Sequence, residues 1–280
     1  MRLIKLLIGA SAAVLLLAIC SLAGTEDRIY GKITTVDGDT FEGFIRWDKN
    51  EGGWVDVLDG NKERTHKAKK SKRRMYRERE SSVEIFGIKI GGSNCYISDW
   101  SDVSQSGVRF GHIRTLEAIG DDEVLLILKS GEEVEFESGS TDFGDGIREI
   151  VIEDRDEGEL ELVWDDIEMI EFSKSPADGD SNFGERLYGT LTTRRGEEFT
   201  GAVCWDVDEL FTTDILDGDY KNRRRKIKFG KIDSIERYSS SGAVIRLKNG
   251  DELLLKGTND VDDSNRGITI SDPAFGQVVV

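Results

Sequence analysis

The feature that most constrains this chain is a long internal repeat without gaps. Residues 28–60, RIYGKITTVDGDTFEGFIRWDKNEGGWVDVLDG, return as residues 186–218, RLYGTLTTRRGEEFTGAVCWDVDELFTTDILDG, displaced by 158 positions. Phe41, Gly43, Ile45 and Trp47 correspond to Phe199, Gly201, Val203 and Trp205. Agreement at every second residue marks one face of a β-strand. The intervening Glu42, Phe44 and Arg46 have become Thr200, Ala202 and Cys204, so the pattern predicts one packed face and one solvated face. Gly38 and Gly196 mark a tight turn before this strand, and the Leu-Asp-Gly at 58–60 and 216–218 marks a second.

A second unit follows each copy. Residues 110–136 match 229–255 at a shift of 119, and after a one-residue slip 142–162 match 260–280. Ser130-Gly131 and Asn249-Gly250 sit between alternating apolar arms and predict hairpins. Helical periodicity is nearly absent beyond the N-terminal segment, which makes the expected class all-β. A shorter echo links the two unit types: Phe110, Trp164 and Phe229 are each followed by Ile113, Ile167 and Ile232 and then by Glu117, Glu171 and Glu236. It divides the chain into four β modules in two duplicated pairs, at 28–118, 119–172, 186–237 and 238–280, with a turn-rich linker at 173–185. The first half continues through 163–172 where the second has no counterpart. Either the sequence is incomplete there, or the last module leaves an edge that needs a partner.

The order of strand, glycine, long strand, aspartate and glycine-x-isoleucine resembles the Sm-like and SH3-like small barrels. Gly196, Phe199, Gly201, Val203 and Asp206 fall near the first Sm signature, and Gly230, Ile232 and Ile235 near the second. The asparagine after the aspartate is absent, the glycine-to-aspartate spacing is one short, and Phe229 stands where the family has arginine. The resemblance implies tandem small β-barrels and does not carry RNA binding with it.

The first residues place the chain. Arg2 and Lys5 precede an apolar run at 6–23 that ends in Ser21, Leu22 and Ala23, which reads as a secretory signal peptide at 1–23 and an exported, periplasmic or extracellular protein. Two rival readings are an uncleaved anchor and a lipoprotein box at Cys20, where Ile19 replaces the small residue. No second apolar run of spanning length follows, so membrane contact is expected to be peripheral at most.

Charge and chemistry narrow the function by exclusion. Fifty-five acidic against 38 basic residues give a net charge of −17, which argues against broad nucleic-acid binding. Two cysteines lie beyond the signal, Cys95 and Cys204, enough for one bridge or two free thiols. An insert at about 61–107 opens with a basic run that includes Lys67, Lys69, Lys70, Lys72, Arg73 and Arg74. Arg223, Arg224 and Arg225 form a shorter cluster at the equivalent place. These residues are candidates for anion binding, against a solvated charged surface as the plain alternative. The rest of the insert alternates like an added hairpin.

With two histidines and no nucleophile, phosphate-loop or dinucleotide motif, neither a catalytic constellation nor a cofactor is expected. Residues 259–265 (NDVDDSN) alternate oxygen ligands in a way that suits Ca²⁺, but the glycine is late and no glutamate completes the loop, so a polar turn and no metal site is the expectation. Asp48, Asp206, Glu51 and Glu209 recur after the tryptophans, where turn hydrogen bonding to backbone amides explains them. Trp47, Trp164 and Trp205 read as core, whereas Trp54 and Trp100 have no counterparts and are the better exposed contacts. The chain therefore reads as an exported, non-enzymatic β-repeat binding or scaffolding protein for an unknown protein or an anionic polymer. The alternatives are a peripheral binder of anionic surfaces and a hydrolase without a visible motif.

Overall fold

The computed structural model describes residues 28–63, 103–138, 140–176, 180–272, 274 and 276–280, together with short strands at 14–16, 83–85 and 88–90. Among the described residues the chain is all-β, and no helix reaches seven residues. Before the repeats lies β1 (Val14–Leu16). The first half forms β2 (Tyr30–Thr35), β3 (Thr40–Trp47), β4 (Val57–Glu63), a separate hairpin of β5 (Val83–Ile85) and β6 (Ile88–Ile90), and β7 (Val103–Arg109). It continues with β8 (Ile113–Gly120), β9 (Glu123–Leu128), β10 (Glu133–Glu137), β11 (Ile150–Asp154), β12 (Gly158–Leu162) and β13 (Ile167–Phe172). The second half forms β14 (Tyr188–Thr192), β15 (Glu198–Trp205), β16 (Ile215–Tyr220), β17 (Arg223–Lys228), β18 (Ile232–Ser239), β19 (Gly242–Leu247), β20 (Glu252–Lys256), β21 (Ile268–Asp272) and β22 (Gly276–Val279).

Each half is one ten-stranded sheet, in the order β12-β11-β3-β2-β13-β8-β9-β10-β4-β7 and β17-β16-β20-β19-β18-β1-β14-β15-β21-β22. Read in opposite directions, the two orders are the same. The sequence repeat is thus a repeat of topology, with one substitution: β1 stands where β13 stands in the first half.

The expected small barrels do not form, because the sheets are not closed. The long strand that would return to its own unit pairs instead with the next one. β3 exchanges its ladder with β11, and β13 lies between β2 and β8. The glycines shared by the two copies serve this exchange. A Cβ on Gly43 would lie 1.8 Å from the Glu153 carbonyl oxygen on β11, and one on Gly201 would lie 2.4 Å from that of Ser271 on β21. The short aromatic echo also has a physical meaning. Phe110, Trp164 and Phe229 each open a single 3₁₀ turn, are buried, and feed β8, β13 and β18.

One apolar core fills each half, around Trp47, Phe110 and Phe136 in the first and Trp205, Phe229 and Ile245 in the second. A third cluster joins the halves: Tyr30, Phe44 and Val151 meet Phe183, Cys204, Leu210 and Phe211. This corrects the expectation of a solvated strand face. Phe44, Ala202 and Cys204 are buried, because the face that varies between the copies packs on the other half. Two surfaces that meet must be complementary, so copies stay identical only where the contact is self-complementary. The bulky Phe211 lies against Gly52, where a Cβ would come within 2.5 Å of its ring. Phe211 also stacks on Phe183 of the linker at 5.4 Å. Trp54, expected as an exposed contact, is instead partly buried against Phe172. Trp100 lies outside the described residues.

Ion pairs across this interface reinforce the apolar contact. Arg186 donates from Nη2 to Asp56 Oδ1 at 3.0 Å and Oδ2 at 3.2 Å, and from Nη1 to the Val203 carbonyl at 2.7 Å. Asp56 also accepts the amides of Gly52 and Gly53. Arg46 makes the reciprocal contact, donating to Asp214 at 2.9 Å. Both side chains of the Arg186–Asp56 pair are nearly inaccessible, so removing one partner strands a buried charge. Asp56→Ala is expected to cost about 3–5 kcal/mol of folding free energy in denaturant titrations. Surface Asp219→Ala, on β16 of the second sheet, is expected to cost under about 1 kcal/mol.

Candidate functional site

The long strands β3 and β15 both end in tryptophan followed by aspartate, and the chain must reverse within three residues. Trp47 and Glu51 exchange backbone hydrogen bonds of 2.8 and 3.0 Å, as do Trp205 and Glu209 at 2.9 and 3.0 Å. So tight a loop needs left-handed backbone, which Asp48 and Lys49 adopt at φ 42° and 67°, and Asp206 and Val207 at φ 51° and 61°. Val207 is β-branched, so its left-handed conformation carries strain held by the surrounding contacts.

Each tryptophan then reaches into the second unit of its half. Trp47 Nε1 donates to the Asp142 carbonyl at 2.6 Å, and Trp205 Nε1 to the Asp260 carbonyl at 2.9 Å. A buried indole with a satisfied N–H suits the expected core role. The bond also fixes a third acid beside the two of the turn. Carboxylate oxygens of Asp48, Glu51 and Asp142 lie within 4.8 Å of one another, and so do those of Asp206, Glu209 and Asp260. The equivalent acids of the two halves therefore build the same group twice.

The partners of these acids also repeat. Asp48 accepts the Arg148 amide at 2.7 Å and its Nε at 3.1 Å, and Asp206 accepts the Arg266 amide at 2.5 Å and its Nη2 at 2.8 Å. Thr141 in the first half and Asn259 in the second donate to the same aspartates. Asp142 Oδ2 accepts the Asp59 amide, and Asp260 Oδ2 the Asp217 amide, both at 2.6 Å. The glutamates are different: Glu51 Oε2 and Glu209 Oε2 are buried with no hydrogen-bond partner. Glu51 is 4% exposed. The two groups adjoin across the interface, where Asp208 pairs with both Arg148 and Arg266.

Three acids and one arginine leave each group with excess negative charge out of water, an arrangement that demands a proton or a cation. Burial drives the Glu51 carboxyl well above its ordinary range, and neighbouring Asp142, Asp56 and Asp48 push it further. Burial raises Asp142 to about 7 against the opposing hydrogen bond from the Asp59 amide. Glu209 is pushed up to about 9 by burial and then by Asp260, and Asp260 itself rises to about 6. The donor set is all oxygen. Two oxygens bound to one Ca²⁺ at about 2.3–2.6 Å are at most about 5 Å apart, so the observed spacing fits a hard divalent cation.

Reading each acidic stretch alone led to the expectation of no metal site. The structure brings Asp260 of the 259–265 stretch beside Asp206 and Glu209, which belong to the preceding unit. The turn hydrogen bonds expected of Asp48 and Asp206 are long-range ones to Arg148 and Arg266. Arg223, Arg224 and Arg225 are exposed on the edge strand β17, with Arg224 paired to Asp217 at 3.1 Å and Arg225 over the Tyr220 ring. Lys67, Lys69, Lys70, Lys72, Arg73, Arg74 and Cys95 lie outside the described residues. Cys204 carries a buried free thiol in the interface, raised far above its ordinary pKa by burial. No helix among the described residues is long and apolar enough to cross a membrane.

The raised carboxyls set a sign for stability against pH. Their folded pKa values lie above the unfolded ones, so the folded state holds protons that the unfolded chain has lost. Their contribution is complete at acid pH and declines as pH rises from about 4 toward 9, the value reached by Glu209. In chelator, denaturant midpoints measured from pH 6 to 9 are expected to fall, and to fall less in Glu209→Gln. A wild-type slope matched by the variant would contradict this. Comparison of the chain with family profiles, curated proteins and solved structures returned no match.

Proposed function

We propose that this is an exported, non-enzymatic β-repeat binding protein that takes up a divalent cation at each of its two carboxylate groups. The observation that carries this reading is the duplicated triad in which Glu51 and Glu209 each present a buried, unpartnered oxygen. A cation at each group would supply the missing partner and neutralise the excess charge. It would also rigidify the strained turns where the halves face one another, fixing the angle between the two sheets. The first group has no exposed carboxylate to offer a substrate, with Asp48, Glu51 and Asp142 at 0%, 4% and 6%. That burial favours a structural or binding role over hydrolysis.

Isothermal titration of the full chain with Ca²⁺, and with Mg²⁺ in parallel, tests the reading. Two sites are expected, one remaining in Glu51→Gln or Glu209→Gln and none in the double variant. Saturation at about 100 times the dissociation constant should stabilise the fold by about 2.7 kcal/mol per site. Absence of heat and of any thermal shift at millimolar cation would reject it.

A further inference from the structure

The two carboxylate groups are built alike, but one side chain between them has no like in the repeat. Asp208 lies in the second Trp-Asp turn, beside Glu209, and stands outside both triads. Its Oδ1 accepts Arg148 Nη1 from the first half, and its Oδ2 accepts Arg266 Nη2 from the second. Each arginine also clamps the aspartate of its own group. Arg148 donates from Nε to Asp48 Oδ1 at 3.1 Å and from Nη2 to Asp48 Oδ2 at 3.2 Å. Arg266 donates to Asp206 Oδ2 from Nε at 3.2 Å and from Nη2 at 2.8 Å. Opposite charges therefore alternate along one line, Asp48, Arg148, Asp208, Arg266 and Asp206, which begins in one triad and ends in the other.

The counterpart of Asp208 is Asn50, a neutral side chain that accepts Arg148 Nη2 at 2.9 Å. One carboxylate charge at the joint is thus shared between two guanidinium groups. The ends of the line, Asp48 and Asp206, are fully buried, so a charge placed beside either is weakly screened.

A cation entering the first group takes oxygens of Asp48 that hold Arg148, and its charge repels the guanidinium. The donors that Asp48 releases turn to Asp208, which Arg148 already reaches. Asp208 then holds Arg266 less firmly, and Arg266 closes on Asp206. A cation entering the second group meets a stronger competitor for that aspartate. By linkage the effect is mutual, whichever group fills first.

On the reading that both groups take up a divalent cation, we propose that Asp208 couples the two sites, so that the first cation weakens binding of the second. Asp208 is a positioning residue that acts through the two arginines.

Ca²⁺ titration of the full chain, of Glu51→Gln and of Glu209→Gln tests the coupling, each with Asp208 and with Asp208→Asn. For independent sites, the product of the two wild-type dissociation constants equals the product of the constants of the two single-site variants. The wild-type product is expected to be larger by about tenfold. Asp208→Asn keeps the size of the side chain and is expected to retain two sites while removing most of that excess. Equal products in the wild type, or an excess unchanged in Asp208→Asn, would overturn the coupling and leave the cation sites standing. Absence of Ca²⁺ binding in every form would remove the sites, and the coupling with them.

Discussion

Two indole hydrogen bonds hold this architecture to its particular form. Trp47 and Trp205 end the eight-residue strands β3 and β15, and each donates across a unit boundary to the carbonyl of an acid in the following unit. The bond ties the Trp-Asp turn to a loop about a hundred residues away in the first half and about fifty in the second. Together with the hydrogen bonds from Thr141 and Arg148 to Asp48, and from Asn259 and Arg266 to Asp206, it brings the third carboxylate to the other two. With it, three acids share a space from which water is largely excluded, and the free energy of burying them must be offset by protons or by a cation.

A second constraint acts between the halves. A duplicated unit that packs against its own copy cannot keep both surfaces the same unless the contact is self-complementary. Here the contact is unequal: Phe44 and Arg46 have the smaller Ala202 and Cys204 as their counterparts, while Leu210 and Phe211 stand where the first half has Gly52 and Gly53. The divergence along that face records packing and not exposure. Asp208, the counterpart of Asn50, gives the interface one further asymmetry by pairing with the arginines of both groups.

Much of the fold was legible in the residues. The period-two agreement of Phe41, Gly43, Ile45 and Trp47 placed the long strand and its inward face, and the aromatic echo at Phe110, Trp164 and Phe229 marked three equivalent turns. The alternation at 81–100 read as a hairpin added within the insert, and β5 and β6 pair there. What escaped was pairing between units. Strand pattern specifies which face is buried but not which neighbour completes the ladder, so local spacing read as small barrels while β3 in fact pairs with β11. The acidic groups were hidden for the same reason. Asp48 and Glu51 looked like a turn, Asp260 like a polar loop, and hydrogen bonds between units, the indole bond among them, join them. The duplication itself was the available signal, since Asp48, Glu51 and Asp142 all have carboxylate counterparts whereas Asn50 does not keep its identity.

The central claim is that the paired acids are cation sites that exchange protons for metal. Proton release on adding Ca²⁺ to the full chain, followed in weakly buffered solution between pH 7 and 8, tests it directly, since burial raises the Glu51 carboxyl well above its ordinary range and Glu209 to about 9. Saturable release of protons, abolished by Glu51→Gln together with Glu209→Gln, is the predicted result. Ca²⁺ binding without proton release, or release that persists in the double variant, would contradict it.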